Sequence, residues 1–104
     1  MTLLVDTSKG YVVAEVEVTD AAGFEDYRAA VAPMIERWGG HYLVRGGTIL
    51  AIEGDAPQGR AVVIEFPSLA AAEAFIRSDD YGPVAAIRHK TAKSRLYLVE
   101  GVAS

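Results

Sequence analysis

Tyr11–Val18 reads YVVAEVEV, a run rich in β-branched residues whose two alternating sets differ in character. A strand sends successive side chains to opposite faces. Val12, Ala14, Val16 and Val18 therefore share one side, and Tyr11, Val13, Glu15 and Glu17 the other. The first set is wholly apolar and the second is half acidic. Arg60–Phe66 (RAVVIEF) and Arg95–Glu100 (RLYLVE) divide in the same way. Val62, Ile64, Phe66, Leu96 and Leu98 fall on the oily side; Ala61, Val63, Glu65, Arg95, Tyr97 and Val99 fall on the mixed side. The oily side requires helices over it. The mixed side is more apolar than a solvated sheet face usually is.

The segments between the strands supply those helices. Thr19-Asp20 offers an N-cap, and apolar residues at 24, 27, 31, 34, 35 and 38 line one helical face. Gly39-Gly40 ends the helix. Pro33, inside it, predicts a kink or a weak turn. His41–Arg45 reads as a short strand, interrupted at Gly46-Gly47 and resumed at Ile49–Glu53; Gly54–Gly59 (GDAPQG) is turn-rich. Ser68 caps a second helix with Leu69, Ala72, Phe75 and Ile76 as its buried stripe, and Ser78–Asp80 breaks it. Pro83 restarts a helical turn to about His89, with Val84 and Ile87 inward. The order is β-α-β-β-α-β. The helices are long enough to join parallel neighbours, and the middle strands read as a hairpin. The expected fold is α+β and ferredoxin-like: a four-stranded antiparallel sheet with helices on one face, in one domain over 1–104 with a core at about 10–101.

The mixed face then needs its own cover, and a second copy of the same sheet about a two-fold axis is the economical one. In such a homodimer Glu15, Glu17 and Glu65 lose part of their hydration and need partners; Arg45, Arg60 and Arg95 are the candidates.

Composition excludes several classes. The chain has 104 residues and 11.1 kDa, enough for one domain. It has no Cys, hence no disulfide, thiolate nucleophile or Cys-based zinc site. A net charge of −4 argues against a nucleic-acid partner. The apolar runs fall short of a membrane span, and Leu3–Val5 is cut short by Asp6, so the expected location is cytoplasmic. There is no G-x-G-x-x-G, P-loop, nucleophile elbow or metal-ligand spacing. The expectation is no cofactor and no metal.

Five blocks carry a family likeness: Ala32–Gly47 (APMIERWGGHYLVRGG), Glu53-Gly54-Asp55, Val62–Ser68 (VVIEFPS), Ser78-x-x-Tyr81 and Val99–Gly101 (VEG). Together they resemble a bacterial domain-of-unknown-function family, number 1330, of the dimeric α+β barrel superfamily. The resemblance implies a ferredoxin-like subunit and a dimer whose two sheets form a barrel. It implies no established reaction. Superfamily relatives include cofactor-independent monooxygenases, muconolactone isomerases and haem-handling enzymes, and transfer of any of these activities is fold analogy. The nine-residue lead-in and Gly82-Pro83 lie outside the shared blocks or vary within them.

Six residues are candidates for chemistry. His41 has the pKa range of a general acid or base, and alternation puts it on one face with Leu43 and Arg45. An Arg beside a His can anchor a carboxylate or enolate oxygen. The plainer alternative is a strand-end His and an Arg45 ion pair to Glu15, Glu65 or Glu53. Tyr27 and Trp38 lie on the first helix's buried stripe, as core or as cavity wall. Tyr81 and Arg88 bracket the last helical turn, as ligand contacts or as surface packing. The Glu15, Glu17 and Glu65 cluster is an acid/base pair in one reading and an interface ion-pair lattice in the other. His89-Lys90-x-x-Lys93-x-Arg95 reads as a solvated basic run. Two functions follow. One is a small-molecule binding or cofactor-independent enzyme domain, its pocket between sheet and helices with His41 and Arg45 at the polar end. The other is a non-catalytic dimeric module. The first calls for a cavity of a few hundred Å³; the ligand is then a modest organic anion or an oxygenated aromatic.

Overall fold

The computed structural model describes residues 8–103. Seven elements follow in order: β1 (Gly10–Val18), α1 (Ala21–Arg37), β2 (His41–Arg45), β3 (Arg60–Phe66), α2 (Leu69–Ile76), α3 (Tyr81–Thr91) and β4 (Ala92–Glu100). Most of the lead-in, including Leu3–Asp6, lies outside the described residues. The sheet order is β2-β3-β1-β4, and every paired neighbour is antiparallel. This is the ferredoxin-like arrangement. The parallel strands are not neighbours, contrary to the reading of the crossovers: β3 lies between β1 and β2, and β1 between β3 and β4. Interposing a strand replaces each parallel pairing by antiparallel ones, whose hydrogen bonds are slightly the stronger.

The register divides the faces as the alternation implied. Val12 stands opposite Ile64 and Leu98, and Ala14 opposite Val62 and Leu96. On the other face Val13 stands opposite Val63 and Tyr97. The helices cover the first set, and Phe66, Phe75, Ile35 and Val12 are the largest fully buried side chains. The Phe66 and Phe75 rings stack at 5.4 Å. A smaller cluster of Ala14, Val16, Phe24 and Ala92 extends this core toward the start of α1. Tyr97 and Val99 remain exposed on the open face.

Local chemistry sets the helix ends. The Asp20 carboxylate accepts from the Gly23 N–H at 3.1 Å, and Ser68 Oγ from the Ala71 N–H at 3.0 Å. At the C-terminus of α1, Gly39 takes φ +85°, its N–H donates to the Glu36 carbonyl and the Gly40 N–H donates to the Ile35 carbonyl. That bonding closes the helix and requires a left-handed residue. α1 continues through Pro33 to Arg37 without a break.

Three further sequence expectations are corrected. Ile49–Glu53 forms no strand; it belongs to a long connection between β2 and β3, with Leu50 and Ile52 exposed because no neighbouring strand pairs with them. α3 begins at Tyr81, two residues before Pro83. A proline in the first turn removes no helical hydrogen bond, since those N–H groups have no partner in any helix. The inward face of α3 is Tyr81, Ala85, Arg88 and Thr91, while Val84 and Ile87 are half-buried. Ser78 sets that phase: its hydroxyl donates to the Phe75 carbonyl at 2.7 Å and accepts from the Tyr81 N–H at 3.1 Å. Tyr81 is thereby turned onto Phe75, ring centroids 4.8 Å apart. No helix among the described residues is long and apolar enough to cross a membrane.

Candidate functional site

A cavity of about 60 Å³ lies between the oily face of the sheet and the helices. Its strand side is apolar, built from Val12, Ala14, Val62, Ile64 and Leu96. Its polar lining comes from four elements: Tyr27 and Arg28 of α1, Tyr42 and Arg45 of β2, Arg60 of β3, and Tyr81 and Arg88 of α3. Among the described residues the lining contains four arginines and no carboxylate.

Tyr27 and Tyr81 face each other across this space, with their hydroxyl oxygens 2.9 Å apart and either able to donate. Burial holds the Tyr27 hydroxyl well above the usual tyrosine range. Tyr81 adds to the shift, and the opposing pull of the Arg88 charge is smaller. Tyr27 is thus a neutral hydroxyl at physiological pH, a donor and acceptor but no phenolate. Tyr42 is raised by burial too, against the pull of Arg45, whose guanidinium sits 4.4 Å from the Tyr42 ring centroid.

Arg88 is 7% exposed. It donates to Ser94 Oγ, and its other terminal nitrogen lies 3.4 Å from His89 Nε2. Its Nε finds no acceptor among the described residues. The turn of α3 fixed by Ser78 carries Arg88 inward seven residues after Tyr81, two helical turns along the same side.

The structure brings Tyr27, Arg45, Tyr81 and Arg88 together at this cavity. His41 and Trp38 do not line it. Trp38 caps α1 and packs at 6.0 Å on Phe75 from outside the cavity. The shared face of His41 and Arg45 is corrected by a bulge. His41 pairs with Glu65 and Tyr42 with Ile64, but Val44 pairs with Val63 and Arg45 with Val62. The extra residue, Leu43, reverses the alternation. His41 therefore stays on the open face while Arg45 turns to the helix side. Both border an outer groove of about 420 Å³ between α1 and β2, with Pro33, Glu36 and Gly40.

Of the open-face carboxylates, Glu15 meets an expected partner, Glu65 meets others, and Glu17 enters no ion pair among the described residues. His41 Nε2 lies 3.1 Å from Glu65, which also accepts from the Tyr11 hydroxyl at 3.1 Å. That hydrogen bond to a carboxylate raises the Tyr11 pKa. Arg95 reaches Glu15 at 3.7 Å across the strand pair. Arg45, Arg60 and Arg88 enter no ion pair among the described residues. Arg28 and Tyr42 were not singled out in the sequence, and Arg60 only as an ion-pair partner for the open face, whereas it lines the cavity on the helix side. Alternation with His41 was the one sequence signal for Tyr42, which pairs with Ile64 on the helix side ahead of the bulge.

The family profile described as a domain of unknown function (DUF1330) matches residues 9–102. The chain belongs to the DUF1330 family. No curated protein is similar enough to count as a relative. Solved structures of similar fold include a protein of unknown function from Rhodopseudomonas palustris, 20% identical, covering 94% of this chain and 85% of that one with a TM-score of 0.69. A methylated form of it gives a TM-score of 0.71 at 22% identity, covering 91% of this chain and 82% of that one. SnoaB, a cofactor-independent oxygenase from Streptomyces nogalater, is 18% identical with a TM-score of 0.58, covering 96% of this chain and 97% of that one. At these identities the likeness concerns the fold. This DUF1330 chain thus shares its α+β fold, helices on one face of a four-stranded antiparallel sheet, with those proteins.

Proposed function

We propose that this DUF1330 chain binds a small organic molecule in the cavity between sheet and helices, and that it works as a homodimer joined through the open sheet face. The observation that carries the reading is the Tyr27–Tyr81 hydroxyl pair, 2.9 Å apart within a largely apolar wall. A few convergent polar groups in an apolar concavity are the usual composition of a ligand site. The volume of about 60 Å³ is below the few hundred Å³ expected from sequence, so the closed end takes only a small polar head. The rest of the ligand lies toward the exposed side, at Arg45. The likeness to SnoaB supports cofactor-independent chemistry. In that chemistry the tyrosine pair serves as a proton-sharing contact to a substrate oxygen, while His41 stands outside the cavity.

A thermal-shift screen against a metabolite library, run on the wild type and on Tyr27→Phe and Tyr81→Phe, tests the reading. Compounds that raise the melting temperature of the wild type and lose that effect in both variants support it. A screen without any stabilising compound leaves the second reading, a non-catalytic dimeric module. The paired Glu65, His41, Tyr11, Glu15 and Arg95 on the open face favour that second reading.

A further inference from the structure

The geometry points to a small carboxylate as the ligand of this cavity, its head group held by Arg88 and the Tyr27–Tyr81 pair and its approach drawn by Arg45 and Arg60. This inference rests on reading the cavity as a ligand site. Its first support is charge. The chain carries a net charge of −4, yet among the described residues the cavity lining has four arginines and no Asp or Glu. Arg28 is partly neutralised by Glu25 at 2.9 Å. Arg45, Arg60 and Arg88 have no carboxylate partner among the described residues. The acidic groups that could have balanced them, Glu15 and Glu65, are on the opposite face with partners of their own.

The second support is burial. A guanidinium cannot shed its proton as a buried lysine can, so Arg88 at 7% exposure remains a cation inside the fold. It has five N–H donors. One goes to Ser94 Oγ, one faces His89 Nε2, and Nε has no acceptor among the described residues. Three donors remain, Nε among them, in the planar fork that matches the two oxygens of a carboxylate. Tyr27, kept neutral by its burial, adds an O–H donor from the same pair of elements, and its titration feels the Arg88 charge directly. Leu96, Phe75 and Ile76 offer apolar wall to the body of such a ligand.

The third support is the gradient of exposure along the lining. Arg45 is exposed, Arg28 and Arg60 are half-buried, and Tyr81 and Arg88 are buried. Cations spread along a path from solvent to a closed end attract an anion and pass it inward.

The test measures binding of matched acids and amides at constant ionic strength: benzoate against benzamide, and isobutyrate against isobutyramide. Each acid is expected to bind at least tenfold tighter than its amide. Arg88→Met should abolish that difference. Arg45→Gln and Arg60→Gln, nearer the surface and safer for folding, should each reduce it severalfold. Arg77→Met, at an exposed arginine paired with Glu73, should leave it unchanged. Equal binding of acids and amides would overturn the anion preference while leaving a ligand site in place. Acid binding that survives all three cavity variants would overturn it too, by locating the anion elsewhere. If neither pair binds, the library screen decides. Predominantly carboxylate hits support the inference, neutral hits sink it alone, and an absence of hits sinks it together with the ligand-site reading.

Discussion

The two faces of the one sheet treat charge in opposite ways. On the open face two carboxylates have short-range partners, Glu65 in His41 and the Tyr11 hydroxyl, and Glu15 in Arg95. On the helix side the cations outnumber their partners, and one of them is buried. Paired charges on a half-apolar surface suit an interface, because each carboxylate can lose water without losing its counter-charge. Unpaired cations around a cavity suit a ligand, because the missing charge has to come from outside the chain. A residue's role here follows from which side of the sheet its position in the alternation selects.

Phe75→Ala should show the largest difference between the faces. Phe75 is fully buried against Phe66, Trp38 and Tyr81, and its truncation is expected to cost about 3–5 kcal/mol in urea unfolding. The open-face counterpart, Val13→Asp, tests the proposed dimer. Sedimentation should show the wild type at twice the 11.1 kDa chain mass and the variant at the chain mass. A wild type that sediments as a single chain would remove the argument for a covered open face.

The tyrosine pair gives a smaller effect. Tyr27→Phe removes one buried hydrogen bond and should cost about 1 kcal/mol. Its pH signature is more specific. The folded-state pKa of Tyr27 is raised above the unfolded value of 10.0 by burial, so the folded chain holds a proton that the unfolded chain releases. The contribution is complete well below pH 10 and declines as pH rises through and above it, by about 1.4 kcal/mol at pH 11. Unfolding measured at pH 8 and pH 11 should show a smaller decline in Tyr27→Phe than in the wild type. The smallest effect belongs to His41→Ala. The imidazole is 63% exposed, and loss of its pairing with Glu65 should change stability by less than about 1 kcal/mol. A larger loss would show that the open face is desolvated around Glu65.

The candidate site was only partly legible in the sequence. Tyr27, Arg45, Tyr81 and Arg88 were readable as candidates because their types carry chemistry, but nothing local showed that they converge. Val84 and Ile87 looked like the inner face of α3 because they are its most apolar residues. The Ser78 bonds to Phe75 and Tyr81 turned the helix the other way and put a charge inside.

The alternation of Tyr11–Val18, Arg60–Phe66 and Arg95–Glu100, with the caps at Asp20 and Ser68 and the glycine stop at Gly39, was enough to specify the elements and the two sheet faces. Those signals act over a few residues, at periods set by the backbone itself. The extra residue at Leu43, which parts His41 from Arg45, exists only relative to the strand that β2 pairs with. The phase of α3 and the meeting of Tyr27, Tyr81 and Arg88 likewise depend on what packs against what. Such choices are made by contacts between residues distant in the chain, and no periodicity within one segment records them.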